Sequence, residues 1–98
     1  MIIYHVVMPD YWARFVKKDA FTPPTFEEEG FIHCCTEEQI NYVLTTYFKG
    51  VVEIFLLKID AELLTAELKI EPANGQHFPH IYGPINKSAI VGVKKLNP

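Results

Sequence analysis

Four histidines, five tyrosines and two adjacent cysteines carry most of the reactive chemistry of this 98-residue chain. Two short segments concentrate it: Gly30-Phe-Ile-His-Cys34 and Phe78-Pro-His-Ile-Tyr-Gly83. In the first, His33 lies in an extended stretch just before a helix start, where free N–H groups attract anions and ligand oxygens. Strand alternation puts Phe31 on the same face as His33. In the second, His80 and Tyr82 are two apart, so an extended backbone points both the same way. An imidazole and a phenol together offer donors, acceptors and a stacking face. Gly83, before Pro84, lets the backbone turn or approach a ligand closely. His5 is the one polar residue of an apolar strand and shares a face with Ile3 and Val7. Each also has a plain structural reading: His33 as a core histidine donating to a backbone carbonyl, His5 as a satisfied core group, and the His80–Gly83 segment as a structural turn whose aromatics pack the core.

Other reactive residues fit specific chemistry less well. Alternation sends Cys34 away from His33, while Cys35 could return to the His33 face as a nucleophile; buried inert thiols are the common alternative. His77 and His80 have a chelating spacing, but Phe78-Pro79 bars the regular helix that would bring both rings to one side. No CxxC or HExxH pattern is present, and no metal is expected. Glu27-Glu28-Glu29 reads as a solvated run, with Glu29 the member closest to the histidine segment. Glu71 reads as solvent-facing on its strand, near the approach to His80.

The elements that must position these groups follow from periodicity. Residues 2–7 are β-branched and aromatic and predict a strand. Asp10 is placed to cap a helix over about 11–18, with Tyr11 and Phe15 on one face. Residues 19–29 contain Pro23-Pro24 and predict a loop or extended arm. Phe31 to Cys34 predicts a short strand. Thr36-Glu-Glu-Gln39 is a capping box. It opens a helix with an apolar stripe of Ile40, Val43, Leu44, Tyr47 and Phe48, stopped by Gly50. Val51 to Ile59 predicts a central strand buried on both faces. Residues 60–64 suit one helical turn, and Leu68 and Ile70 alternate with charged neighbours as in a half-exposed strand. Pro72 to Gly75 is a turn, 77–85 is partly extended, and 88–96 is a last strand. Two helices and five or six strands make one α+β domain over residues 1–98, with mixed or antiparallel pairing.

Composition bounds the function classes. Hydrophobic residues are 49% and charged residues 21%, as in an ordinary globular domain with a core. The net charge of −3 and the absence of a basic run argue against extended nucleic-acid binding, although a small nucleotide needs no basic face. Adjacent cysteines rarely bridge, which suits a reducing, cytoplasmic setting. No stretch reads as a signal core or a membrane span.

Taken together, Tyr4-His5, Trp12, Glu29-Gly-Phe-Ile-His-Cys34, Gln39 and Phe78-Pro-His-Ile-Tyr-Gly-Pro84 resemble the bacterial domain of unknown function 952 family over almost the whole chain. That family is regarded as similar in fold to the ADP-ribosyltransferase superfamily, which holds NAD in a cleft of a split mixed sheet. The resemblance implies that His5 holds a ribose and that Tyr82 or Phe31 stacks on nicotinamide. A late glutamate orients the acceptor in those enzymes; it has no clear match here, and Glu71 is the candidate. Cys35 stands where the family motif usually carries serine.

These readings converge on a small-molecule site. His33 and His80 are its catalytic candidates, and His5, Phe31, Glu71, Tyr82 and Gly83 its ligand-binding ones. NAD or a nucleotide-derived molecule is the expected ligand, with glycosyl or ADP-ribosyl chemistry. The competing reading is a non-catalytic module that meets a protein partner through Tyr11, Trp12 and Phe21. A metal hydrolase using the histidines as ligands is the third.

Overall fold

The computed structural model describes all residues from Met1 to Pro98. In chain order it has β1 (Ile2–Val7), α1 (Pro9–Trp12), β2 (Ala20–Phe21), α2 (Phe26–Glu29), β3 (Ile32–His33), α3 (Ile40–Tyr47), β4 (Ile54–Asp60), β5 (Glu67–Ala73), β6 (Gln76–Tyr82), β7 (Ile85–Asn86) and β8 (Ile90–Leu96). Single 3-10 turns follow α1, precede α3 and β8, and link β4 to β5. Every strand pair is antiparallel. The strands form three groups, ordered β1-β4-β8, β2-β7 and β3-β6-β5. One α+β domain results. No helix is long and apolar enough to cross a membrane.

Strand β4 is central, as its apolar run requires, and divides the core in two. Leu57 and Ile59 enter one cluster with Ile3, Phe21, Ile32, Ile81 and Ile85. Ile54 and Leu56 point the other way, into a cluster with Tyr4, Cys35 and Phe78. Helix α3 covers that second cluster through Ile40, Val43 and Leu44. Its start carries the expected capping box: the Thr36 N–H donates to Gln39 Oε1 at 3.0 Å. Each Ile or Leu taken fully out of water contributes about 1.5–3 kcal/mol. That gain is what holds short strands and short helices together.

Several boundaries differ from expectation for physical reasons. Asp10 does not cap the first helix. Pro9 sits at the first helical position, so α1 begins two residues earlier with Met8 at its N-cap, and it gives way to a 3-10 turn over Ala13–Phe15 instead of running on to 18. The segment 19–29 is not all loop. Its proline pair bars helix upstream only, and Phe26–Glu29 forms a turn of helix closed by Gly30 at φ 79°. The β5–β6 connection is tighter than a Pro72–Gly75 turn. Asn74 (φ 50°) and Gly75 (φ 79°) make a two-residue turn with both φ positive, and Pro72 and Ala73 stay in the strand.

Pro79 lies inside the central strand of its sheet, where a missing N–H would normally break a ladder. Its carbonyl accepts from the Cys34 N–H at 3.0 Å. A residue's N–H and C=O face the same antiparallel neighbour. The donor-less nitrogen of Pro79 therefore faces the end of the two-residue β3, where the ladder is already stopping, and the β5 side stays intact.

The two three-stranded sheets meet at one point. Tyr4 and Cys35 form an isolated antiparallel bridge, each N–H donating to the other's carbonyl at 2.8 Å. This junction brings β1, and with it His5, against the end of β3.

Candidate functional site

The pleat of the β3-β6-β5 sheet sorts its side chains. Ile32 pairs with Ile81 and His33 with His80. Ile32 and Ile81 are fully buried in the core. Alternation then sends His33, His80 and Tyr82 to the opposite face. Glu71 pairs with Phe78 on the adjacent strand, which sets it diagonal to His80. Its carboxylate oxygen Oε1 accepts two bonds, from His80 Nδ1 at 2.8 Å and from the Tyr82 hydroxyl at 2.5 Å. These donors, Tyr82 first and His80 second, hold the Glu71 carboxyl below the usual carboxylate range. The same contact pushes the Tyr82 phenol up, because ionising it would set two anions side by side.

A second carboxylate–imidazole pair faces the first. Glu29, the last residue of α2, accepts from His33 Nε2 at 2.6 Å. That bond is the main reason the Glu29 carboxyl lies below its ordinary value. The pair is largely exposed, whereas the His80 ring is buried. The His33 and His80 rings are 5.3 Å apart and nearly perpendicular. Phe31 lies against both, stacked on His80 at 4.3 Å and edge-on to His33 at 4.8 Å. His80 Nε2 is sealed from solvent and has no hydrogen-bond partner in the chain. An unpaired buried nitrogen costs about 1–3 kcal/mol, so a fold that keeps one calls for a reason.

His5 comes to the site through the Tyr4–Cys35 junction. Its Nδ1 is 2.7 Å from the His33 carbonyl oxygen. A carbonyl only accepts, so Nδ1 carries the proton and Nε2 the lone pair. Burial pushes the imidazole down to about 4, the bond to His33 offsets part of that, and the charge of His33 adds to it. His5 is thus a neutral imidazole whose tautomer is fixed by the backbone.

His5 and His33 line one cleft of about 430 Å³. Its apolar lining includes Val6 and Val7 of β1, Val43 and Phe48 at α3, and Phe78 of β6, and Asn74 of the β5–β6 turn also lines it. His80, Tyr82, Glu71 and Phe31 do not line it. The expected set is therefore divided: His5 and His33 belong to the cleft, and Phe31, Glu71, His80 and Tyr82 form a polar-aromatic platform beside it. His33 is the residue common to both. Val43, Phe48 and Asn74 were not among the candidates. An Asn-Gly pair between alternating strands was the available signal that a tight hairpin tip would stand here.

A family model described as "Protein of unknown function (DUF952)" matches residues 6–93. This chain belongs to that family. Crystal structures of protein CC0527 from Caulobacter crescentus and of a double mutant of it are similar to this DUF952 chain, at 28% and 27% identity. In both, the likeness covers 99% of this chain and 87% of the other, with a TM-score of 0.88. The solution structure of CC0527 is similar at 28% identity, over 98% of this chain and 84% of that one, with a TM-score of 0.82. No curated protein matches.

Several expected roles do not fit the DUF952 structure. A Cβ on Gly83 would lie 2.8 Å from the Ala66 Cβ, so the close approach this glycine permits in the fold is to Ala66. Cys34 and Cys35 are buried and free. Burial pushes the Cys35 thiol up to about 11 and the Cys34 thiol well above its ordinary value, the reverse of what activates a nucleophile. His77 and His80 fall on opposite faces of β6. Trp12 and Phe21 are packed in the core, and Tyr11 donates its hydroxyl to the Thr22 carbonyl at 2.9 Å, so the aromatic docking surface expected of these three is not available.

Proposed function

We propose that the cleft beside His5 and His33 binds NAD or a nucleotide-derived ligand and supports chemistry at its glycosyl bond. The observation that carries this reading is the pairing of two unlike imidazoles in one apolar cleft. His5 is neutral and tautomerically fixed, while His33 is exposed and bonded to a carboxylate. A volume near 430 Å³ lies in the range of small-ligand pockets and suits a nucleoside-sized fragment.

In this reading His5 Nε2 accepts a ribose hydroxyl, and the apolar walls take the flat ring and exclude water. Breaking the glycosyl bond leaves positive charge at the anomeric carbon as the base departs with the bonding pair. A hydroxyl or water then bonds to that carbon. His33 takes its proton, with Glu29 orienting the ring and stabilising the imidazolium formed. His80, with Glu71 and Tyr82, holds the platform against which His33 rests. The similarity in fold to ADP-ribosyltransferases that the sequence implies belongs to this proposal, and NAD is its natural first ligand.

The test is a titration with NAD and with ADP-ribose, followed by amide chemical shifts. Shifts at His5, His33, Val43 and Phe48 that saturate in the millimolar range or below are expected. Unmoved amides at these positions in millimolar ligand would dispose of the proposal.

A further inference from the structure

The β1-β4-β8 sheet carries polar side chains that the site above does not use. Tyr4 pairs with Lys58 and Lys58 with Gly92, and in the next row but one Leu56 pairs with Lys94. Strand alternation sets Tyr4, Leu56, Lys58, Gly92 and Lys94 on one face of this sheet. Helix α3 packs on the same face through Ile40, Val43 and Leu44. Where the helix begins, a second hollow of about 380 Å³ opens between it and the sheet. Glu37, on the 3-10 turn before α3, and Ile40 line its helix side.

The charges in this hollow are not used within the chain. The four ion pairs take His33, His80, Lys69 and Lys95 as their cations, and Glu29, Glu71, Glu67 and Glu53 as their anions. Lys58, Lys94 and Glu37 belong to none of them. The two lysines are diagonal neighbours across β4 and β8, about 7–8 Å apart at their bases, so both ammonium groups can reach one oxyanion. Gly92, opposite Lys58, keeps the space between them open. A Cβ there would meet the Lys58 Cβ at 3.5 Å and its Cδ at 3.7 Å, ordinary contact distances, and Gly92 is not among the positive-φ glycines. Neither packing nor backbone conformation therefore demands a glycine. Tyr4 lies beside Glu37. Burial first and the Glu37 charge second hold its phenol above the ordinary value, so at pH 7 it is a neutral hydroxyl.

We infer that this hollow binds a small zwitterion, an α-amino acid with an apolar side chain. Its carboxylate lies between Lys58 and Lys94, its ammonium group meets Glu37, and its side chain rests on Ile40 and Leu56. A simple anion would satisfy the lysines and face Glu37 unpaired, and a simple amine would do the reverse. A molecule carrying both charges satisfies all three groups. The inference does not rest on NAD binding in the cleft. Tyr4 is the one residue the two hollows share, and His5, its neighbour in β1, points to the opposite face of the strand.

The experiment titrates the wild-type chain at pH 7 with leucine, with isocaproate, which is leucine without its amine, and with isopentylamine, which is leucine without its carboxylate. The amide shifts of Glu37, Gly92 and Lys94 are followed. Leucine is expected to bind at least roughly tenfold tighter than either analogue, a difference of about 1.4 kcal/mol. Isocaproate binding as tightly as leucine would mark a plain anion patch and overturn the inference. Leucine that leaves these amides unmoved up to its solubility limit overturns it as well. Two variants locate the site without touching Tyr4. Glu37→Gln should abolish the advantage of leucine over isocaproate, and an undiminished advantage refutes the ammonium contact. Gly92→Val fills the hollow while keeping every charge and should abolish the shifts; a folded variant that binds leucine like the wild type places the ligand elsewhere and sinks the inference. If Gly92→Val does not fold, the wild-type series and Glu37→Gln decide. Amides of His5, Val43 and Phe48 report the cleft separately, so failure of either reading is seen independently of the other.

Discussion

Lowering the pH from 7 to 4.5 tests the burial of His5. Its imidazole is buried and pushed down to about 4, from an ordinary value near 6.5. The unfolded chain takes up a proton at this residue that the folded chain cannot hold. Stability is therefore complete above about pH 6.5 and falls as the pH drops through the window between the two values. That gap, at about 1.4 kcal/mol per pH unit, makes about 3 kcal/mol when fully expressed. Between pH 7 and 4.5 the loss is about 2–3 kcal/mol. Stopping there matters, because Glu29 and Glu71 have depressed carboxyl values and lose their own contributions only as the pH falls below the ordinary value of 4.5. Urea unfolding of the wild type and of His5→Gln across this range supplies the measurement. Glutamine keeps a side-chain N–H for the His33 carbonyl but has no proton to gain. The variant is expected to be less stable at pH 7 and to lose about 2–3 kcal/mol less than the wild type on the way to pH 4.5. Parallel curves would show that His5 charges without penalty, and the fixed neutral tautomer assigned to it would be wrong.

Three other outcomes follow from the same geometry. Replacing Glu71 with Gln removes the carboxylate that raises the Tyr82 phenol, so carbon-13 titration of Tyr82 should move down toward the ordinary tyrosine value; an unchanged titration would place the cause elsewhere. Ile81→Ala, at a fully buried position, should cost about 2–5 kcal/mol in urea unfolding, whereas Val52→Ala, at a position 81% exposed, should stay within about 0.5 kcal/mol. Both thiols should resist a disulfide reagent at pH 8 in the native protein and react on the order of a hundredfold faster after unfolding, because burial pushes Cys35 up to about 11 and Cys34 well above its ordinary value.

Local patterns were readable where one period governed a segment. The stripe from Ile40 to Phe48 with its Thr36–Gln39 start, the apolar run that became β4, and the shared face of His80 and Tyr82 all follow from spacing alone. Tyr47 is the exception in that stripe: it is 55% exposed and bonds with Asn74 at the hairpin tip. The links between segments were not readable. Glu71 meets His80 because Asn74-Gly75 sets the β5–β6 register, and a turn counted from Pro72 moves every cross-strand pair. His5 meets His33 only through the Tyr4–Cys35 bridge between two sheets, for which no local signal exists. Trp12 and Phe21 could equally have served a surface or a core until the position of α1 over the core was known.

The apolar face of the β3-β6-β5 sheet decides what its polar face presents. Burial of Ile32 opposite Ile81 fixes the pairing, and the pleat then sets His33 beside His80. A slip of one residue would exchange the faces, driving imidazoles into the core and isoleucines into water. The cost of that exchange lies in the buried isoleucines, so the register holding the two histidines together is enforced from the side of the sheet that does no chemistry. Substituting His33 should therefore alter ligand binding with little effect on folding. His80 differs, because it is buried and its Nδ1 is tied to Glu71. Its removal leaves a void beneath Phe31 and an unpartnered carboxylate, so any loss of binding in a His80 variant has to be compared with its loss of stability before a role in the site is assigned to the imidazole.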